Sequence, residues 1–395
     1  MRGLVAVATV LATGALAMGI LRPILPLYLA HINLDPALIG LVVSVSMMGM
    51  VIGESFSGWV ADRLGLRLPL IIGTVVCGLI SFSFVVSQSV AVLFVVGFFW
   101  GLTRAAIFGP GRGYLADAAP AGKKATYLAV TSAILALSRG VGALPGGFIA
   151  DTLGYQWVFY VAGGVALAGG IAAVAGPKTS PHLQLKSGPA LPSAASRTAW
   201  RFFLRPFSLQ CAIAAFTFVN MAILLTYVPL LGTQIIGVSA TDVGMVFTIN
   251  GLATMAFSIP LGMAADRMGK RVLMVLGLLV CAGTMVGLAF AGTFAMLIIL
   301  GVVHAFGMAA FSPSALSLLS EHVPAGRQAT AMGLYGGVCE NSGLVVGSAV
   351  GGFIWQWLGP PATFYAGAIA CGLGIVLCLL LPQIRRAGYD LEECC

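Results

Sequence analysis

The chain has 395 residues, of which 59% are hydrophobic and only 8% are charged, and its mean hydropathy is +1.03. Soluble domains carry about 25% charged residues, so the composition excludes a water-soluble globular domain. The net charge of +8 would suggest nucleic acid as a partner of a soluble chain, but the placement of the basic residues excludes that partner here.

The first candidate span begins at the N-terminus. Residues 1–19 resemble a secretory signal, because Arg2 precedes an apolar stretch and a run of small residues. The apolar run continues to Tyr28, which is longer than the ~7–15 residues of a signal core. We therefore predict a retained transmembrane helix at this position.

Twelve apolar runs, such as residues 69–86, are long enough to cross a bilayer as helices of about 20 residues. Only helices or closed barrels satisfy the backbone in lipid. The sequence therefore predicts an all-α membrane protein with twelve transmembrane helices, numbered here as spans 1 to 12. Asp35 followed by Pro36 predicts the start of span 2, and Ser239 with Asp242 has the spacing of a capping box before span 8.

Basic residues lie on one side of the predicted helices. Sixteen of the twenty Lys and Arg residues fall in alternate loops, whereas the intervening loops, such as 31–36 and 233–240, contain none. Cytoplasmic loops carry such an excess of positive charge. We therefore expect both termini to lie in the cytoplasm and the chain to sit in a bacterial inner membrane.

The eight cysteines do not form a recognisable site. Six are scattered through the apolar runs without the spacing of metal ligands, and buried cysteine usually behaves as a small hydrophobe. Cys394 and Cys395 end the chain without a prenylation motif. No metal or cofactor is predicted, and the terminal pair, which could be lipidated, is assigned no function.

The two halves of the chain repeat each other. GWVADRLGLR at 58–67 returns as GMAADRMGKR at 262–271, 204 residues later. PAGKKAT at 120–126 returns as PAGRQAT at 324–330 with the same offset, and the GGFI that begins at Gly146 returns 205 residues later. Such a nearly constant offset indicates a duplicated unit.

The duplication predicts two pseudo-symmetric six-helix bundles, at residues 1–176 and 203–395. Between them, residues 177–202 are rich in Pro, Ser and basic side chains. That composition is typical of a linker, and the predicted topology places it in the cytoplasm.

The duplicated Gly-x-x-x-Asp-Arg-x-Gly-x-Arg segment resembles the signature loop of the major facilitator superfamily. It lies between spans 2 and 3 and again between spans 8 and 9. With the two six-helix halves and the long linker, the resemblance covers nearly the whole chain and implies the major facilitator fold. In that family, the charged network of these loops resembles a latch. It joins the two halves and favours the outward-open state.

The matching latch positions in this sequence are Gly58, Asp62, Arg63, Gly65, Arg67, Gly262, Asp266, Arg267, Gly269 and Arg271, with Asp117 and Glu321 as acidic partners. Glycine permits close helix approach, and a carboxylate there can face the positive N-terminus of a neighbouring helix. The alternative is a solvated turn whose charges only set topology. The first copy has Leu66 where a basic residue is usual.

Span 5 contains a stretch similar to the family's antiporter signature, Gly-Pro-x-x-Gly-Gly. Here the stretch has Gly142, Pro145, Gly146 and Gly147, with the proline displaced by two positions. The signature implies an exporter, whereas glycine and proline also serve close packing and a bend.

In span 4, exporters of this family often carry an arginine at the position where this chain has Gly97. The role of that arginine is therefore not transferred to other residues of this chain.

Strongly polar residues lie near the middle of several spans. A charge facing lipid costs about 2.5–3.5 kcal/mol, so these residues must face a wet cavity or a partner. Transporters bind substrate at mid-membrane between repeats, and the resemblance implies that spans 1, 4, 7 and 10 line the cavity. The predicted cavity residues are Arg22, Arg104, Asn220 and His304, one on each of these spans, together with Arg139 and Asn250. For His304 a helix–helix hydrogen bond is the alternative.

Glu54 and Glu340 are the two carboxylates inside spans. In an apolar setting either could load and release a proton near neutral pH. The alternative is a static ion pair with Arg104, Arg112 or Arg139. Three mid-membrane arginines against two glutamates favour an anionic or amphipathic organic substrate.

These features predict a monomeric secondary transporter that works by alternating access, as a proton-linked exporter of small organic compounds. Its expected partners are a small-molecule substrate, protons and membrane lipids. The alternatives are an importer or uniporter of organic anions, an intramembrane enzyme and a non-transporting receptor. The sequence has neither a zinc-protease motif nor a phosphate-binding Gly-Lys-Ser/Thr loop, which disfavours catalysis and ATP drive.

Overall fold

Helices dominate the part of the chain that the structure describes. The computed structural model describes residues 2–86, 88–117, 124–174, 194–322 and 334–381. Within these ranges, twelve helical segments are long and apolar enough to cross a membrane. The prediction of twelve spans is confirmed.

The first half contains spans 1 to 6. Span 1 is built from two helices, and the six spans occupy Arg2–Leu21 with Ile24–His31, Pro36–Leu64, Arg67–Val86, Val90–Asp117, Lys124–Thr152 and Tyr155–Val174. The second half contains spans 7 to 12. Spans 7 and 11 each include a π-helical turn, and the six spans occupy Ala194–Leu230 with Leu231–Ile236, Ala240–Met268, Lys270–Ala289, Phe294–His322, Tyr335–Glu340 with Asn341–Leu358, and Pro360–Leu380.

The helix of span 7 begins within the range predicted as linker. It starts at Ala194, and residues 175–193 lie outside the described part of the chain. Ala194 and Ala195 are strong helix formers, which favours a helical start at this position.

Two helix starts follow the local sequence signals. Ser239 Oγ accepts a hydrogen bond from the Asp242 N–H at 3.1 Å, and Asp242 Oδ2 accepts one from the Ser239 N–H at 3.0 Å. This is the predicted capping box of span 8. Asp35 is the N-cap of span 2 with Pro36 at the first helical position, although the Asp35 side chain makes no capping hydrogen bond.

Span 1 is interrupted at Arg22 and Pro23, between its two helices. Proline has no N–H to donate, and its ring clashes with the carbonyl four residues earlier. The break therefore follows from Pro23, with Pro26 one turn later. It places the Arg22 side chain at an irregular point of the backbone.

The halves meet along two helix pairs. Span 5 packs along span 8, and span 2 packs along span 11. A continuous apolar core includes residues of both halves, from Val7 to Phe364. Large apolar side chains such as Val86 and Ile171 are 83% and 77% exposed on the outside, as expected for surfaces that contact acyl chains.

The two ends of the bundle differ in charge. The basic end carries the turns after spans 2 and 8, with Arg63, Arg67, Arg267 and Lys270. The opposite end carries the starts of spans 2 and 8 and the ends of spans 5 and 11. We call it the closed end, because the halves contact each other there as described below.

Candidate substrate cavity and the contacts between the halves

A narrow cavity of about 20 Å³ lies between the two halves, which in this conformation leaves room for about one water molecule. Its walls come from spans 1, 2, 4, 7 and 11. The lining is mainly apolar, with Val43, Met47, Leu225 and Leu344 among its residues, and its polar members are Arg22, Thr226 and Ser348. The space therefore has one strongly charged corner and a large apolar wall.

Arg22 provides that charged corner. It lies at the break of span 1, and its Nε is buried without a hydrogen-bond partner among the described residues. Guanidinium remains protonated in proteins, and its N–H groups only donate. A buried donor without a partner is costly, so the corner favours a ligand that can accept hydrogen bonds from Arg22.

Arg104 lies next to the same cavity. It is only 3% exposed, and its guanidinium carbon lies 4.6 Å from the centre of the Trp100 ring, which lines the cavity. Its Nη2 lies 3.1 Å from Met18 Sδ, while Nε and Nη1 have no partner in the described chain. Arg104 is within electrostatic range of Arg22 and of Glu54.

Arg139 and Asn250 take different positions. Arg139 is within electrostatic range of Arg22, and its Nε donates to the Leu135 carbonyl at 3.1 Å. Asn250 lines a separate cavity of only about 10 Å³ and donates from Nδ2 to the Gly301 carbonyl at 2.7 Å. That hydrogen bond joins spans 8 and 10 within the second half.

Asn220 and His304 are bonded to each other. Both are fully buried, at 0% and 1% exposure, and 2.9 Å separates Asn220 Oδ1 from His304 Nε2. Because an amide oxygen only accepts, the imidazole donates from Nε2. This is the helix–helix hydrogen bond that the sequence left as the alternative for His304, and it joins spans 7 and 10. Asn220 Nδ2 has no partner among the described residues.

Glu54 takes part in a contact between the halves. Its Oε2 accepts a hydrogen bond from Asn341 Nδ2 at 3.1 Å, from span 2 to span 11. The same amide donates to the carbonyls of Gly336 and Gly337 at 3.2 and 3.0 Å, in the π-helical turn of span 11. Glu340 belongs to this turn, so both carboxylates lie near one irregular segment.

The halves touch closely near the closed end. A Cβ on Gly147 of span 5 would lie 2.2 Å from the Ala240 carbonyl oxygen of span 8. A Cβ on Gly352 of span 11 would lie 2.5 Å from the Pro36 carbonyl oxygen of span 2. Gly352 follows Gly147 by 205 residues and Ala240 follows Pro36 by 204, so the two contacts are repeats of each other.

Side-chain hydrogen bonds join the same helix pairs. Thr248 Oγ1 donates to the Gly140 carbonyl at 2.7 Å and accepts from the Leu144 N–H at 3.1 Å, between spans 8 and 5. Ser44 Oγ donates to the Val345 carbonyl at 2.9 Å, between spans 2 and 11. The Ser44 contact lies at the level of the cavity, next to the lining residues Val43 and Leu344. The backbone contacts at Gly147 and Gly352 lie nearer the closed end, and they seal this side of the cavity.

Comparison with known proteins decides the family. The model of the Major Facilitator Superfamily matches residues 7–239 and 213–391, which is nearly the whole chain. The chain belongs to the Major Facilitator Superfamily. The resemblance seen in the duplicated loop is thereby confirmed.

Several relatives within the superfamily are known by name. The chain is 26% identical over 250 residues to the quinolone resistance protein NorA of Staphylococcus aureus strain MSSA476, covering 62% of each chain. It is 28% identical over 205 residues to NorA of strain MRSA252, covering 50% of this chain and 51% of NorA. An uncharacterized MFS-type transporter of Methanocaldococcus jannaschii is 22% identical over 350 residues, 88% and 89% of the two chains. The chain thus matches only 51% to 62% of the length of these NorA relatives.

Solved structures of the superfamily share the fold. The nucleoside transporter NupG is 14% identical with a TM-score of 0.76, covering 96% of this chain and 98% of NupG. A bacterial homolog of the human lysosomal transporter Spinster, in an inward-facing and unoccupied conformation, is 13% identical with a TM-score of 0.75, covering 96% and 94%. Identities this low show the fold alone, and they confirm the predicted major facilitator fold.

The antiporter-like stretch of span 5 has a packing role in this member of the superfamily. A Cβ on Gly142 or Gly146 would lie 2.6 or 2.4 Å from carbonyl oxygens of span 1. Gly147 faces span 8 instead, and Pro145 is exposed within the continuous helix. The stretch therefore lets span 5 approach one helix of its own half and one of the other half.

The predicted latch lies at the basic end and is only partly described. Gly65 and Gly269 have φ of 76° and 96° and form the turns after spans 2 and 8, a conformation that favours glycine. The surroundings of Gly58 and the side chains of Asp62, Asp117 and Asp266 lie outside the described part of the chain. So does the side chain of Arg112, one of the predicted alternative ion-pair partners of the membrane glutamates.

The described acidic partner is paired within its own half. Lys270 Nζ lies 2.5 Å from Glu321 Oε1, which joins spans 9 and 10. Arg271 donates to the Leu379 carbonyl of span 12. Arg63 and Arg267 are exposed, and Gly262 has no atom within 4 Å of its Cβ position. The role of the duplicated loops as a latch between the halves stays a prediction.

Sequence reasoning did not single out several residues that join the halves. They are Asp151, Thr248, Asn341 and Gln356. One signal was available, because Asp151 and Gln356 each follow the first glycine of a duplicated GGFI segment by five positions. Among the described residues, no group of three or more His, Cys, Asp or Glu side chains could hold a metal ion.

Proposed function

We propose that this superfamily member is a secondary transporter that exports a small amphipathic organic anion in exchange for protons, by alternating access. The observation that carries the proposal is the cavity between the halves, with Arg22 at one corner and an apolar wall elsewhere. The relationship to NorA, a protein named for quinolone resistance, supports the direction of export.

The charge around the cavity supports an anionic substrate. Arg22 is repelled by Arg104 and by Arg139, while Glu54 attracts Arg104. A carboxylate bound to Arg22 would accept charge-assisted hydrogen bonds, which are about twice as strong as neutral ones. The remaining wall, including Met47 and Leu225, suits an apolar or aromatic body.

The position of Glu54 supports proton coupling at that residue. Its hydrogen bond to Asn341 joins spans 2 and 11, so separation of these spans must break it. A hydrogen bond to an ionised carboxylate is stronger than one to the neutral acid. Protonation of Glu54 therefore favours separation of spans 2 and 11 near this residue, on the part of the spans toward the basic end. This links the proton to the conformational change. Glu340, in the adjacent π-helical turn, is the second candidate.

The proposed orientation follows from charge. The basic end faces the cytoplasm because cytoplasmic loops carry the excess of Lys and Arg, and both termini lie there. The closed end then faces the outside of a bacterial inner membrane. The conformation described here is therefore one in which the substrate cannot leave to the outside.

Transport by purified protein in vesicles with an imposed pH gradient tests the proposal. The probes are fluorescent aromatic monocarboxylates and aromatic amines of matched size. We expect gradient-driven movement of the carboxylates, its loss in Arg22→Glu and Arg104→Glu, and its retention in the charge-preserving Arg22→Lys. Unchanged carboxylate transport by both glutamate variants would refute the anion site. Carboxylate movement that is independent of the gradient would indicate a uniporter or importer instead.

The same vesicles separate coupling from static pairing. Glu54→Gln and Glu340→Gln remove one carboxylate each with little change in size. The variant that removes the coupling site should keep exchange of substrate across the membrane but lose its response to the pH gradient. If both variants respond to the gradient as the native protein does, neither carboxylate carries the proton.

A further inference from the structure

At the closed end, the carboxylate of Asp151 caps a helix of the opposite half. Asp151 ends span 5, and its Oδ1 accepts a hydrogen bond from the Ala240 N–H at 3.1 Å. Its Oδ2 accepts from the Thr241 N–H at 2.7 Å and from Thr241 Oγ1 at 2.5 Å. Ala240 and Thr241 are the first two residues of the helix of span 8.

These contacts complete the capping of span 8. The first N–H groups of a helix have no acceptor within it. The third is taken by Ser239 Oγ, through the capping box of the helix itself. The first two depend on Asp151, a side chain from the other half, and a negative charge is favourable at this end of a helix.

The repeated position makes the equivalent contact on the other side. Gln356 follows Asp151 by 205 residues and lies near the end of span 11. Its Oε1 accepts a hydrogen bond from the Ala37 N–H at 3.3 Å, at the start of span 2. Pro36, the first residue of that helix, has no N–H, and the Asp35 side chain makes no cap, so Gln356 reaches the first N–H that the helix offers.

We propose that Asp151 and Gln356 are a pair of duplicated clasps that hold the closed end shut and set how strongly the transporter prefers this conformation. Each clasp joins the last turns of a helix in one half to the first turn of a helix in the other half. Both must release before the closed end can open. The two are unequal, because Asp151 is a carboxylate with three hydrogen bonds and Gln356 is a neutral amide with a single one.

Amide hydrogen exchange of the full-length protein in nanodiscs, read by mass spectrometry, tests the clasps without any substrate. Asp151→Ala should speed exchange about fivefold, the population change expected from loss of one capping side chain. The increase should cover the closed ends of spans 2, 5, 8 and 11 together. Exchange at the basic ends of the spans should slow at the same time, since that end closes as the other opens.

Asp242→Ala is the matched control. It removes the other acidic capping side chain of span 8, which bonds only within its own half. Its effect should stay at the first turn of span 8. If Asp151→Ala also changes exchange only at that turn, with no change at the basic end, Asp151 is a local cap and the proposal is wrong.

Two further variants keep the test decisive should the alanine protein fold poorly. Asp151→Asn retains an acceptor oxygen and removes the charge, so it should give a smaller effect with the same distribution. Gln356→Glu adds a charge to the weaker clasp and should slow exchange at the closed end below that of the native protein. Faster or unchanged exchange at the closed end in Gln356→Glu would overturn the proposal. Failure of the anion or proton assays leaves these outcomes unaffected.

Discussion

Replacing Gly147 by alanine should open the closed end, because the added methyl group has no room between spans 5 and 8. Its Cβ would lie 2.2 Å from the Ala240 carbonyl oxygen and 2.8 Å from Thr241 Cα. Carbon and oxygen atoms in close helix contacts are normally about 3.3–3.6 Å apart. The obstructing atoms belong to the backbone and cannot rotate away, so the helices must separate by about 1 Å.

The magnitude follows from the cost of overpacking, which is about 1–3 kcal/mol. Only the conformation in which spans 5 and 8 touch bears this cost. The population should therefore shift about 5- to 150-fold toward the conformation that is open at this end. Alanine also has a helix propensity about 1 kcal/mol better than glycine, which stabilises both conformations equally.

Gly164→Ala on span 6 is the matched control. It carries the same gain in propensity, and no atom lies within 4 Å of its Cβ position. Spin labels at Leu153 and Ile235, exposed by 60% and 59% at the closed end of each half, report the separation. We expect a longer distance in Gly147→Ala and no change in Gly164→Ala. An unchanged distance in Gly147→Ala, in a protein that melts like the control, would refute the argument that this contact holds the halves together.

Three further variants test individual contacts. Asn220→Leu should lower the free energy of unfolding by about 1–3 kcal/mol, because His304 loses its buried partner. A double-mutant cycle with His304→Leu should be non-additive. Additive losses would contradict the hydrogen bond. Lys270→Ala should change stability by less than about 1 kcal/mol, since the side chain of Glu321 is 49% exposed. A larger loss in a denaturant titration would assign the pair a structural role. Tyr227→Phe removes a buried hydroxyl that donates to a backbone carbonyl, and should cost about 0.5–1.5 kcal/mol in melting experiments; no change in melting temperature would contradict that contact.

The relation between the repeats shows how far the sequence alone could reach at the closed end. The GGFI segments at 146–149 and 351–354 predicted a duplicated unit with close packing. They did not predict which helix each glycine faces. In the structure Gly146 contacts span 1, while Gly147 contacts span 8 of the other half. Adjacent glycines on one helix differ by about 100° in direction, so their partners depend on the rotation of the helix within the bundle.

The candidate site was predicted in part for the same reason. Hydropathy and the cost of a charge in lipid place Arg22 and Arg104 inside the bundle. In the structure Arg22 lines the cavity between the halves, and Arg104 packs against Trp100 of its wall. Neither hydropathy nor the cost of a charge in lipid predicts the hydrogen bond of His304 to Asn220 or that of Asn341 to Glu54. Each of these contacts requires two helices to present matching faces.

The sequence by itself determined the number of spans, their duplication and the charge difference between the ends. These properties depend on the length of apolar runs and on the order of residues along the chain, which need no partner helix. The tertiary structure alone decided which side of the cavity is sealed and which side chains seal it. Sealing depends on backbones that approach at glycine and on helix ends that lie beside a carboxylate or an amide, and hydropathy carries no information about either.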